Sequence, residues 1–219
     1  MTTEELKKEI EEIIDETFKE LSSIYNNKKT GDSHIIFPKY RNDKIRVSEQ
    51  ELRCVFIQKL CKRKKELYYS VETPTNEKYK FTDENKSRNN PKIDKSGRSG
   101  CIDLSIHDSN HNLLCIIEFK AHGKTSESDY KKDLLKLCAE QGDNVLRYFI
   151  QIFELCVPNT LYSIWENKLK PSAEHIKTEC KLQDIRDVFT KVHCRFCVLS
   201  QHSDFYNQEN LHEKIIKVL

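Results

Sequence analysis

The chain has no apolar run long enough to cross a bilayer. Its most apolar windows are interrupted too soon, and 37% hydrophobic against 33% charged residues is the balance of a soluble globular fold, so no membrane partner is expected. An export signal is also missing. Met1 to Asn27 is rich in Glu and Lys without an apolar h-region, so it reads neither as a signal peptide nor as a transit sequence, and a cytoplasmic protein is expected. Net charge is nearly absent, at +2, so nucleic-acid binding cannot be argued from overall charge and has to rest on local patches. No internal repeat, low-complexity tract, ATPase motif or separate sequence-reading domain stands out. Cysteine, by contrast, is plentiful. The nine residues are odd in number, mostly set among apolar neighbours and unaccompanied by an export signal, which points to buried reduced thiols rather than disulfides.

What is present is strong local patterning over 219 residues, enough for one continuous core. Leu6, Ile10, Ile13, Ile14, Phe18, Leu21 and Tyr25 repeat with helical spacing behind Thr2, whose partner Glu5 completes a capping box. That stripe has two uses open to it, a homodimer interface or packing against its own domain, and the second is expected. Asn26 to Asp43 reads as a loop, and Ser48-Glu49-Gln50-Glu51 opens a second helix that ends in Lys62 to Lys65. Tyr68 to Thr73 predicts a strand stopped by Pro74, with Lys78 to Thr82 pairing back on it, and Asp83 to Gly100 a loop. Cys101 to His107 and Leu113 to Ala121 flank the turn Asp108-Ser109-Asn110 as an antiparallel hairpin, followed by a helix over Ser126 to Glu140. Val145 to Leu155 is too continuously apolar for one exposed face and predicts a strand buried on both sides. A helix capped at Asn159 or Thr160 and running through Leu169, a weakly patterned stretch from Pro171 to Asp187, a last strand at Arg195 to Leu199 and a terminal helix at Asn210 to Leu219 complete the reading. This order describes an α/β fold, a mixed β-sheet flanked by helices. Basic residues gather in Lys39 to Arg46, Lys59 to Lys65 and Lys86 to Arg98, and acidic ones in Glu4 to Glu20.

Chemistry concentrates in the hairpin. In Leu113-Leu114-Cys115-Ile116-Ile117-Glu118-Phe119-Lys120 an apolar strand ends in a carboxylate and an ammonium two residues apart, so both project from one face. Asp103 lies on the other arm between Ile102 and Leu104, and pairing across the turn brings it near Glu118. Two converging carboxylates make a hard-oxygen site suited to Mg²⁺ or Mn²⁺. A lone Asp followed by Glu-Xaa-Lys also arises by chance as a surface ion pair; the hairpin and the helix after it favour the functional reading.

Gly100-Cys101-Ile102-Asp103 and Ile117-Glu118-Phe119-Lys120 resemble the Pro-Asp…(Asp/Glu)-Xaa-Lys nuclease superfamily, whose fold is restriction-endonuclease-like, with Ile102 standing where the name has proline. The resemblance reaches roughly from Ser48 to Leu155, and Tyr69 to Thr75, Glu118 to His122 and Lys132 to Leu137 are similar to segments of uncharacterised bacterial members. It implies one nuclease-like domain over 1–219, with an N-terminal amphipathic helix at 1–27, a catalytic core at 48–155 and the rest of the domain at 156–219. It also implies a Mg²⁺- or Mn²⁺-dependent endonuclease, a phosphodiesterase on DNA ahead of RNA, in which Asp103 and Glu118 hold the metal and Lys120 orients water or stabilises the transition state. The helix before the core supplies a further acid in that superfamily, for which Glu51 is the best match and Glu49 the alternative, although Glu51 is equally explained as a capping-box residue. The rival reading is a catalytically silent nuclease-like module that binds nucleic acid or protein; a third would use the stripe of helix one for interaction.

Other motifs are weaker. Gly123-Lys124-Thr125 sits like the end of a phosphate-binding loop, but Glu118 stands where the first glycine belongs. Cys194-Arg195-Phe196-Cys197 has zinc-like spacing without a second pair; on a strand its thiols face opposite sides, which favours packing over metal. His122 and His202 could approach a substrate, but isolated histidines are more often surface or satisfied core residues; Lys132 and Gln141 could contact phosphate, although a solvated helical face explains Lys132 equally well, and neither is assigned a catalytic role.

Overall fold

Helix α1 (Thr3–Tyr25) begins at the expected capping box, with the Glu5 amide donating to Thr2 Oγ1 at 3.2 Å and the Thr2 amide to the Glu5 carboxylate at 2.7 Å. In this computed structural model the described residues are 2–26, 33–81, 90–121, 126–140, 142, 144–154, 162–200 and, for the backbone, 205–207. Leu6, Ile10, Ile13, Ile14, Phe18 and Leu21 are buried against α2 (Glu49–Arg63) and one face of the sheet, so the stripe is used within the chain. The predicted terminal helix and the glycine-lysine-threonine segment lie outside the described residues.

Among the described residues, seven strands form one mixed sheet: β1 (Tyr68–Lys80), β2 (Lys92–Ile93), β3 (Arg98–His107), β4 (Leu113–Ala121), β5 (Leu146–Phe153), β6 (His193–Val198) and β7 (Phe205–Asn207), in the order β2-β1-β3-β4-β5-β6-β7. The β4–β5 and β5–β6 pairs are parallel; the others are antiparallel. Helix α3 (Glu127–Ala139) connects β4 to β5, as a parallel pair requires. It packs on the face opposite α1 and α2, together with a π-helical turn (Trp165–Leu169), α4 (Lys170–Glu179) and α5 (Ile185–Lys191). All eight residues of β5 are buried, Arg147 and Gln151 among them, as expected of a strand covered on both faces.

Three expectations change. Pro74 does not end β1: the strand continues to Lys80, and both halves pair with β3 across a register shift between Pro74 and Lys78. Proline, which has no amide to donate, is tolerated at such an irregularity. The loop predicted up to Gly100 yields to strand at Lys92–Ile93 and again from Arg98. Gly97 lets the intervening turn close under Tyr79, because a side-chain carbon there would lie 2.2 Å from the Tyr79 carbonyl oxygen. The helix predicted to stop at Leu169 runs through Pro171 instead. The π-helical turn just before the proline loosens the backbone where a missing amide and a ring would otherwise clash.

Candidate active site

The β3–β4 ladder runs from His107 opposite Leu113 to Leu104 opposite Ile117 and then stops. One step further, the Phe119 amide donates to Asp103 Oδ2 at 2.8 Å, so a carboxylate takes the place of a ladder carbonyl. Alternation fails at the same point, since Leu104 packs in the core beneath α1 and α2 whereas Ile102 packs on the α3 side. The two arms part, and Asp103 is turned toward β4 at the level of Glu118.

Glu118 and Lys120 project from the β4 face covered by α3, where they meet Asp133 and Lys136. The Lys120 ammonium lies 2.6 Å from Asp133 Oδ2 and 3.8 Å from Glu49 Oε1; Lys136 lies 2.5 Å from Glu118 Oε1 and 3.1 Å from Asp133 Oδ1. Lys136 also donates to the Cys101 carbonyl at 2.8 Å. The result is an alternating chain, Glu49, Lys120, Asp133, Lys136, Glu118, with Asp103 beside its last member. Glu118, Asp133 and Lys136 are 1, 2 and 3% exposed, so these charges survive burial only through one another. Next to Lys120 in the β4–β5 register is the buried Gln151, which accepts a 2.6 Å hydrogen bond from the Tyr130 hydroxyl.

The charges tune each other. Burial, reinforced by the Asp133 charge and opposed by Lys136, drives the Glu118 carboxyl well above the usual carboxylate range. Burial likewise raises Asp103 against the pull of the Phe119 amide, and raises Glu49 against Lys120. Asp133 moves the other way, because Lys136 and Lys120 together outweigh its burial. Burial opposes the charge on Lys120, but Asp133 and then Glu49 and Glu118 lift it above the usual lysine value. The ammonium form of Lys120 is thereby favoured.

Asp103, Glu118 and Lys120 are thus brought together, and Glu51 is not. Its carboxylate accepts from the Ser48 hydroxyl and lies 3.9 Å from Arg46, so it belongs to the entry of α2; Glu49, the alternative, faces Lys120. On a helix, residues two apart point to different sides. Lys132 lies over the Phe81 ring, 5.4 Å from its centroid, on the exposed side of α3. His122, Gln141 and His202 fall outside the described residues. Cys194 packs in the α3-side core and Cys197 in the other, so the two thiols do face opposite sides of the sheet. The expectation of buried thiols holds for Cys115, Cys138, Cys194 and Cys197, whereas Cys54, Cys61 and Cys101 are exposed. Three members of the basic segment at Lys59 to Lys65 are paired inside the chain: Lys59 with Glu20, Arg63 with Glu9, Glu12 and Glu16, and Lys64 with Glu9.

Asp133 and Lys136 were not read from the sequence as site residues. A signal existed. Tyr130, Leu134 and Leu137 form the buried stripe of α3, and Asp133 and Lys136 are charges set into it, which is tolerable only where partners wait on the facing strands.

The donor set fits a divalent cation in charge and in kind. Four carboxyl groups face two ammonium groups, so acids outnumber cations by two, and Glu118 and Asp103 stand side by side at one end. Among the described residues no three His, Cys, Asp or Glu side chains converge as a metal cage. Mg²⁺ does not require one, because it keeps several waters and binds through one or two carboxylates plus substrate phosphate. No helix among the described residues is long and apolar enough to cross a membrane. No family model, curated protein or solved structure matches the chain.

Proposed function

We propose that the chain is a metal-dependent nuclease of the Pro-Asp…(Asp/Glu)-Xaa-Lys type, with a restriction-endonuclease-like sheet, that hydrolyses phosphodiester bonds in DNA or RNA. The observation that carries this reading is the parting of the β3–β4 ladder where Asp103 and Glu118 come together, near an ammonium held by Asp133, in a cluster where acids outnumber cations by two. Asp103 and Glu118 would hold Mg²⁺ or Mn²⁺. Such an ion, when bound, supplies an acidified water and charge neutralisation at the phosphoryl group.

The remaining work falls to the chain itself. The Phe119 amide fixes the rotation of the Asp103 carboxylate. Asp133 and Glu49 hold the Lys120 ammonium between them, so its charge is in place before substrate arrives and costs no reorganisation as negative charge builds on phosphorus. Glu49, half-buried at the open side of the cluster, is the third acid that the sequence resemblance calls for at the start of α2.

The test uses plasmid, single-stranded DNA and RNA, each with Mg²⁺, Mn²⁺ or EDTA. Cleavage is expected with either metal and not with EDTA. Asp103→Ala, Glu118→Ala and Lys120→Ala should each lower it by on the order of 10²-fold or more with folding checked by circular dichroism. Wild-type turnover in any of the three would remove the proposed centre.

A further inference from the structure

Lys136 spans three elements at the place where the hairpin opens. It leaves α3, passes over the β3 backbone, and ends with its ammonium 2.8 Å from the Cys101 carbonyl, 2.5 Å from Glu118 Oε1 on β4 and 3.1 Å from Asp133 Oδ1 on its own helix. Cys101 lies beyond the last β3–β4 ladder pair, so the lysine supplies a donor that β4 does not. A second observation concerns the residue it crosses. A side-chain carbon on Gly100 would lie 2.9 Å from Lys136 Cδ and 3.5 Å from its Cγ. Gly100 has no left-handed torsion, so its backbone admits any residue. What excludes a side chain there is the lysine stem, whose far end is held at three oxygens and cannot step aside without carrying the ammonium with it.

We infer that Lys136 is a positioning residue for the metal-binding acids, a strut that ties the Asp103 arm to Glu118 and keeps the parted strands at a fixed spacing, and that Gly100 belongs to the site because the strut crosses there. The inference rests on the metal-dependent reading above. Without the ammonium, Asp133 keeps Lys120 on one oxygen while Glu118 loses the cation bonded to its own, and repulsion between the two buried carboxylates drives Glu118 out of its ligand position. Outer partners that orient ligands typically carry about 10–100-fold in metal affinity, so the loss is measurable without turnover.

Calorimetric titration of Mg²⁺ and Mn²⁺ into the wild type, Lys136→Ala, Gly100→Ala and the double variant, without nucleic acid, separates the outcomes. Lys136→Ala should weaken binding by about 10–100-fold. Gly100→Ala should weaken it in the wild type and change nothing in the Lys136→Ala background, because the stem it displaces is gone. Lys136→Met keeps most of the stem volume and removes only the ammonium; it should weaken binding by the same factor and serves where Lys136→Ala fails to fold. Unchanged or tighter binding in the Lys136 variants, the result if the ammonium merely competes with the metal, overturns the strut while leaving the nuclease reading standing. So does a Gly100→Ala cost that persists without Lys136. A wild type with no metal binding that Asp103→Asn removes overturns the nuclease reading and the strut together.

Discussion

Asp133→Asn isolates the charge that holds the cluster together. Asparagine matches aspartate in shape, so no cavity opens and the change is electrostatic. In the native arrangement one carboxylate oxygen faces Lys120 at 2.6 Å and the other faces Lys136 at 3.1 Å, with 2% of the residue exposed. An amide has one oxygen, so its NH₂ group must point at one of the two ammonium groups. Stranding a buried charge in this way costs roughly 3–5 kcal/mol. Lys136 keeps Glu118, and Lys120 keeps the more distant Glu49 on the half-open side, which places the expected loss near the lower end, about 3 kcal/mol. For a chain of this length that corresponds to a midpoint lowered by about 6–12 °C. Thermal unfolding followed by circular dichroism measures it, with Glu127→Gln as control on the same helix. That residue pairs with Lys131 in water and should cost under about 0.5 kcal/mol. If Asp133→Asn melts within about 2 °C of the wild type, the cluster is not the electrostatic unit described.

Two further outcomes follow from other particulars. Glu49→Gln should lower metal-dependent turnover with little change in melting, whereas Glu51→Gln, which weakens a Ser48 contact and a long Arg46 pair at the start of α2, should spare turnover and cost under about 1 kcal/mol, and the reverse pattern would return Glu51 to the site. His193, packed against the Tyr148 ring with burial and then the nearby Lys7 disfavouring its charged form against Glu4, has a lowered pKa in the folded state. The unfolded chain therefore binds the proton more readily, so the stability His193 contributes is complete above the unfolded histidine value near 6.5 and is lost as the pH falls below it. Melting midpoints between pH 7.5 and 5.5 should drop more steeply for the wild type than for His193→Gln; parallel slopes would show that His193 titrates as it does in the unfolded chain.

Sequence alone determined what depends on neighbours within a few residues. The capping box at Thr2 and Glu5, the stripe of α1, the hairpin around Asp108 and the doubly buried β5 all follow from spacing, because a helix turn and a strand pleat repeat over three to four and two residues. The same local rule placed Asp103 against Glu118 and Lys120, since a hairpin converts positions on two arms into neighbours. The preference for Glu51 over Glu49 came from the resemblance and not from spacing, and the side of α2 that faces β4 is not visible in four residues of sequence. Tertiary packing decided the rest. Asp133 and Lys136 acquire meaning only when α3 folds back over β4 and lays its two inward charges between Glu118 and Lys120. The acidic α1 likewise consumes the basic end of α2 across some fifty residues of chain. In each case the deciding quantity is the cost of burying a charge without a partner, and the partner is chosen by how elements pack, which no local period encodes.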